Sequence, residues 1–172
     1  TKRGFFFHSC DEGYILVVKR IKENAIIPTA ANHTLGVGAV VINDKNEILV
    51  IKERISNLGY KLPGGHIDNG EMISTAVSRE VLEETGIIVE FESIISLGHF
   101  YPHQFHKSNL YVICTANPKT FEINIQDIEE ILDAKWVDVN AYLSDEKVLD
   151  YSKAIIVAAL EEKGFERINQ EV

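Results

Sequence analysis

The sequence predicts a layered α+β domain, and three observations predict it. Short β-branched runs such as TLGVGAVVI and EILVIKER alternate with turn-forming residues. Two stretches, near residues 72–85 and 152–163, carry apolar residues at helical spacing instead. The chain has 172 residues and a hydrophobic fraction of 45%, enough for one domain with a core of its own.

Taken in order, FFFHSCDEGYILVVKRI (5–21) predicts two strands about the turn Asp11-Glu12-Gly13. KENAIIPTAANHT has no clean period and predicts a connector. The expected division is therefore an N-terminal strand-rich segment with connector over 1–33 and the main domain over 34–172. TLGVGAVVI and EILVIKER, separated by NDKN, predict a hairpin. Gly36-Val37-Gly38 leads into a strand with no GK[ST] after it, so it predicts close backbone approach within a sheet rather than a nucleotide loop. LGYKLPGGHIDNG reads as loop, and a helix follows from about Met72 to Thr85 with Gly86 as its stop. IIVEFESIISLGHFY, SNLYVICTA, TFEINI and AKWVDV predict strands, and VNAYL a turn of helix. The last helix is expected from Ser152 to Lys163, with Ile155, Ile156, Ala159 and Leu160 on one face and Gly164 as its end.

The formal net charge is -9, which excludes a non-specific nucleic-acid binder needing a basic face. A small phosphorylated ligand held through a cation fits that balance. Cys10 and Cys114 cannot build a disulfide framework, and Cys114, in LYVIC, is expected as a buried thiol. No apolar stretch reaches membrane-spanning length, and the first residues lack a signal-peptide pattern. A cytoplasmic protein with no membrane partner is the expectation. The chain begins at Thr1 rather than methionine, so residues upstream are expected as well.

On a helical wheel, Ile73, Ala76, Val77 and Val81 form the core stripe of the 72–85 helix. Glu80 and Glu84 continue that stripe, and Glu83 sits at its edge. Three like charges at i, i+3 and i+4 repel one another, the more so where water is scarce. Arg79 can reach Glu83 but leaves two charges unmatched. A hard divalent cation beside substrate phosphates would match them, whereas composition alone reads the same residues as a solvated acidic face.

From Gly65 to Ile87 the chain matches the Nudix signature at every fixed position: Gly65, Glu71, Arg79, Glu80, Val81, Glu83, Glu84, Gly86 and Ile87. The chain thus resembles the Nudix hydrolases. NHTLGVGAVV, GYKLPGG and FHKSNLYVICTANPKTFEI resemble in particular the plant-type ADP-ribose/NADH pyrophosphatases and the animal relative encoded antisense to a fibroblast growth factor gene. GFFFHSCDEGYILVV resembles the end of the N-terminal region those proteins carry. The resemblance implies the Nudix fold, an α-β-α sandwich around a mixed sheet. It implies metal-dependent hydrolysis of a diphosphate linkage in a nucleoside diphosphate derivative, with ADP-ribose or NADH as substrate and AMP released. The cofactor implied is Mg²⁺ or Mn²⁺, ligated by Glu80 and Glu84, by Glu83 directly or through its neighbours, and by the carbonyl of Gly64. Glu71 and Arg79 are implied to pair and hold the loop to the helix, between Gly65 and Gly86. The partner implied is a small nucleotide, not a nucleic-acid polymer, and a homodimer is the default.

The signature does not fix the general base. In many relatives a glutamate before a strand tryptophan serves; in QDIEEILDAKWV that resemblance picks Glu130, with Asp133 at the second acidic position and Glu129 as the neighbour. Glu83 is the other candidate for the catalytic role. Pro102, sixteen residues after Gly86, stands where a proline often accompanies ADP-ribose hydrolysis. Arg54 and Lys107 are candidate phosphate contacts. His99, His103 and His106 lack a fourth zinc ligand, and stacking on or hydrogen bonding to a nucleobase or ribose suits them better. Two rival readings remain: an idle Nudix module that senses a nucleotide or binds a protein, and a pyrophosphatase of the nucleoside triphosphate pool.

Overall fold

In the computed structural model, which describes residues 2–56, 59–103 and 106–161, the β-branched runs form seven strands among three helices. β1 (Phe6–Asp11) and β2 (Tyr14–Val18) make an antiparallel hairpin that is a sheet of its own and leaves Phe7, Tyr14 and Ile15 exposed. β3 (His33–Val40) pairs in parallel with β6 (Ser108–Pro118), and β6 pairs antiparallel with β5 (Val89–Phe100). The central sheet is therefore mixed. β4 (Glu47–Glu53) pairs antiparallel with β7 (Ile131–Asp138).

Alternation along these strands supplies two apolar faces. On one face Val37, Ala39, Val41, Leu49, Val112 and Cys114 meet Ala76, Val77 and Val81 of α1 (Ile73–Thr85). On the other, Val40, Ile48, Val50 and Ile113 meet Tyr142 of α2 (Val139–Ser144) and Ile155 and Ile156 of α3 (Asp150–Leu160). Strands β3 to β7 lie between helices as an α-β-α sandwich. Burying each of these large aliphatic side chains stabilises the fold by about 1.5–3 kcal/mol.

The structure departs from the sequence reading in four places. The hairpin about NDKN forms, with Asn43 N–H to Glu47 O at 3.0 Å and Leu49 N–H to Val41 O at 2.9 Å about an antiparallel Ile42–Ile48 bridge, but beyond it β3 and β4 part into different ladders. The partners they find, β6 and β7, are distant in sequence and so invisible to local turn chemistry. TFEINI is not a strand: Asn124 N donates to Thr85 O at 2.8 Å, and Gln126 and Asp127 N donate to Glu83 O at 3.0 and 2.9 Å. Those amides satisfy the orphan carbonyls at the end of α1 instead of a ladder. The last helix begins at Asp150, and Leu160, at its end, is exposed. Lys163 and Gly164 lie outside the described residues.

Candidate active site

The loop from Lys61 to Ile67 lies along the free edge of β3. Ala39 N donates to Pro63 O at 2.9 Å, Val37 N to Gly65 O at 2.8 Å, and Ile67 N to Leu35 O at 3.0 Å. Gly36 permits this approach, since a Cβ there would stand 3.0 Å from Gly65 O as well as 2.7 Å from the Tyr111 ring on β6. Gly64 has φ +147°, and a Cβ on it would come within 2.1 Å of Val37 O; only glycine fits so strained and crowded a place. Beyond it, a Cβ on Gly65 would meet both carboxylate oxygens of Glu80 at 2.7 Å. The Gly64-Gly65 backbone is thus wedged between β3 and the acidic face of α1.

α1 begins after Met72 without a side-chain cap and ends at Gly86 in the left-handed conformation. Its stripe carries Glu84 into the core edge, where it is 5% exposed. Gly64 N–H donates to Glu84 Oε2 at 2.7 Å. Burial pushes the Glu84 carboxyl up to about 8; the charges of Glu80 and Glu130 push the same way, against the Gly64 N–H and Lys61. Burial also raises Glu80, with Glu83 and Glu130 adding to it and Arg79 opposing. Tyr111, its pKa raised by burial and then by Glu84 and Glu80, turns its hydroxyl toward Gly64.

Arg79 is the hub of the loop. It forks onto Glu71, Nε to Oε1 and Nη2 to Oε2, both at 2.9 Å. Nη2 also donates to His66 O at 2.9 Å, and Nη1 to Glu80 and Glu83 at 2.9 and 3.1 Å. The Glu71 bond raises the Arg79 pKa further and lowers that of Glu71. We predict that Arg79→Ala lowers stability by about 2–3 kcal/mol, since it strands several part-buried carboxylates. Calorimetric melting checks it, with a fall in turnover of about tenfold expected alongside from the loosened loop. Unchanged melting with lost turnover would mean that Arg79 acts on the substrate instead.

Glu80 and Glu83 are turned onto Arg79 and Glu84 onto Gly64, so among the described residues no three acidic, histidine or cysteine side chains are arranged to hold a metal ion. The donor set nevertheless fits a hard cation. Glu80 and Glu84 flank the same glycine pair, and the nearly buried Glu84 has one backbone N–H for company where its charge asks for more. Gly64 meets this group through its N–H.

Glu130 is exposed in the turn before β7, near enough for its charge to act on Glu80 and Glu84. Asp133, by contrast, accepts from Tyr60 Oη at 2.6 Å. Arg54, a candidate phosphate contact, donates its guanidinium to the carbonyls of Ile128 and Ile131. Lys107 is half-buried in the β5–β6 loop, its carbonyl accepting from His103 N at 2.9 Å. That loop meets the site loop through the rings of His103 and His66, 6.4 Å apart. His99 packs instead against His33 at 5.3 Å, and Pro102 is exposed behind a cis peptide bond. Sequence reasoning missed Lys61, paired with Glu53 and felt by Glu84. The cation inside GYKLPGG, two residues before the glycine pair's proline, was the signal.

A sandwiched mixed sheet with a glycine-pinned loop and a carboxylate-bearing helix at its edge defines a Nudix domain. Residues 32–158 match the family model of the NUDIX domain, and the chain belongs to the Nudix hydrolase family. It is 36% identical to Nudix hydrolase 2 of Arabidopsis thaliana over 88% of this chain and 56% of that protein. It is 35% identical to nucleoside diphosphate-linked moiety X motif 6 of Xenopus laevis over 98% of this chain and 81% of that one. The chain spans only about half the length of several such plant relatives, 56% and 40% of two of them. Among solved structures, the NUDIX domain of Shewanella oneidensis NrtR complexed with ADP ribose superposes with a TM-score of 0.63 at 24% identity, covering 77% of this chain and 89% of that one. A NUDIX hydrolase from Nitrosomonas europaea gives 0.64 at 24% identity over 77% and 91%. These two likenesses speak for the fold. No helix among the described residues is long and apolar enough to cross a membrane.

Proposed function

We propose that the chain hydrolyses the diphosphate linkage of a nucleoside diphosphate derivative, with ADP-ribose or NADH as substrate and AMP as a product. The observation that carries this reading is the buried, under-compensated Glu84 beside Glu80 at the Gly64-Gly65 wedge. Glu80, Glu83, Glu84 and the carbonyl of Gly64, whose N–H is already given to Glu84, would hold Mg²⁺ or Mn²⁺, which when bound neutralises the diphosphate and makes its phosphorus electrophilic. Arg79 and Glu71 hold the loop so that these ligands stay aligned. Glu130, projecting from the turn before β7, takes the proton of the attacking water, and Glu83 is the alternative base. The ADP ribose bound by the NrtR domain supports a ligand of that class for this fold.

The test is release of the nucleoside monophosphate product from ADP-ribose, NADH, diadenosine polyphosphates and deoxynucleoside triphosphates, each with Mg²⁺ and with Mn²⁺. Turnover of ADP-ribose or NADH above the triphosphates is expected, abolished by EDTA. Preference for triphosphates would move the protein to pool cleaning. Tight ADP-ribose binding without turnover would make it a sensing module.

A further inference from the structure

Arg54 follows β4 directly, and among the described residues everything it bonds lies in one short turn. Its main-chain N–H donates to Glu130 O at 2.8 Å. Nε and Nη2 both donate to Ile128 O, at 3.2 and 2.9 Å, and Nη2 reaches Ile131 O at 3.3 Å. Within the turn itself, Asp127 Oδ1 accepts from Glu130 N at 3.0 Å and Asp127 O from Ile131 N at 2.9 Å. On its other side the turn is fastened to α1 through Glu83 O, which accepts from the amides of Gln126 and Asp127. The exposed Glu130 side chain thus stands on a turn clamped between the helix that carries Glu80, Glu83 and Glu84 and the guanidinium of Arg54. A guanidinium that is spent on backbone carbonyls is badly placed to grip a phosphate as well.

We infer that Arg54 is a positioning residue for Glu130: it fixes the turn that aims the Glu130 carboxylate at the acidic face of α1, and does not bind the substrate. This rests on the proposed reading of Glu130 as the base. The planar fork is what the turn requires, because it offers two N–H groups to one carbonyl and a further bond to the next, which a single ammonium cannot reproduce.

The experiment compares Arg54→Met, Arg54→Lys, Glu130→Gln and the Arg54→Met/Glu130→Gln pair in the full chain. It measures kcat and KM for ADP-ribose and amide hydrogen exchange over residues 127–131. In Arg54→Met, exchange in that turn is expected to quicken about tenfold or more while the α1 amides keep their protection. kcat should fall on the order of tenfold, with KM changed by less than about twofold, since misplacing a catalytic group costs rate. Arg54→Lys should not restore it. In the Glu130→Gln background, Arg54→Met should change kcat by less than about twofold, because groups that act as a unit are not additive. Unchanged exchange in the turn overturns the inference, as does a loss of kcat that multiplies with that of Glu130→Gln. A raised KM with kcat intact, restored by Arg54→Lys, overturns it in favour of a substrate contact. These outcomes leave the base assignment standing. Full kcat in Glu130→Gln overturns the base assignment, and the inference falls with it.

Discussion

Glu84→Gln is expected to cost about a hundredfold or more in turnover while leaving the cation-free protein at least as stable as the parent. The rate loss follows from the proposed ligand set, where a neutral amide is a poor substitute for a carboxylate on a hard cation. The stability result follows from burial. The folded protein holds the Glu84 proton up to about pH 8, against 4.5 for an ordinary carboxyl. Between those values the folded state binds more proton than the unfolded one, so stability falls as pH rises through the window and levels off above it. In EDTA, the parent's melting temperature should therefore decline from pH 5 to pH 8.5, and that decline should flatten in Glu84→Gln, whose amide takes up no proton. Added Mn²⁺ should raise the parent's melting temperature and leave the variant's nearly unmoved. Parental turnover in the variant would remove Glu84 from the site, and an unaltered pH slope would place the buried charge elsewhere.

The second large effect is expected at Glu130. Glu130→Gln should lower kcat for ADP-ribose by about a hundredfold with little change in KM, as loss of a general base does. Glu129→Gln, next to it, should have a small effect. The two residues are indistinguishable by composition, and both are exposed. What separates them is the charge that Glu130 brings to bear on Glu80 and Glu84. Steady-state kinetics on the two variants decides it. If Glu130→Gln keeps full kcat and Glu83→Gln loses it, the base sits on α1.

The helix that carries the candidate site was legible in the chain because its information is local. The spacing of Ile73, Ala76, Val77 and Val81 set the buried face, and 3.6-residue geometry then carried Glu84 into the core edge and left Glu83 with its side chain 46% exposed. Gly86 marked the stop for the same reason. What escaped the sequence was non-local. No turn rule says that β3 pairs with β6 across some seventy residues, or that Asn124 of TFEINI and the two residues after that stretch, Gln126 and Asp127, give their amides to the end of a helix. Arg54 shows the same limit at a site: its charge suggested a phosphate, and only the fold reveals the carbonyls of Ile128 and Ile131 in front of it. Lys61 was overlooked because its partner Glu53 lies on the neighbouring strand.

The stretch between β6 and β7 has no ladder and no helix, yet it is a ruler. Asn124 and Asp127 index it to two carbonyls of α1, and a Cβ on Gly86 would strike Asn124 O at 2.3 Å. Ordinary surface loops absorb insertions and deletions cheaply. Here one residue gained or lost between Asn124 and Glu130 would slide the carboxylate away from the helix even if every side chain were kept. The segment tolerates changes of composition far better than changes of length, and a grafted or engineered variant of this domain has to preserve that count before it preserves any residue within it.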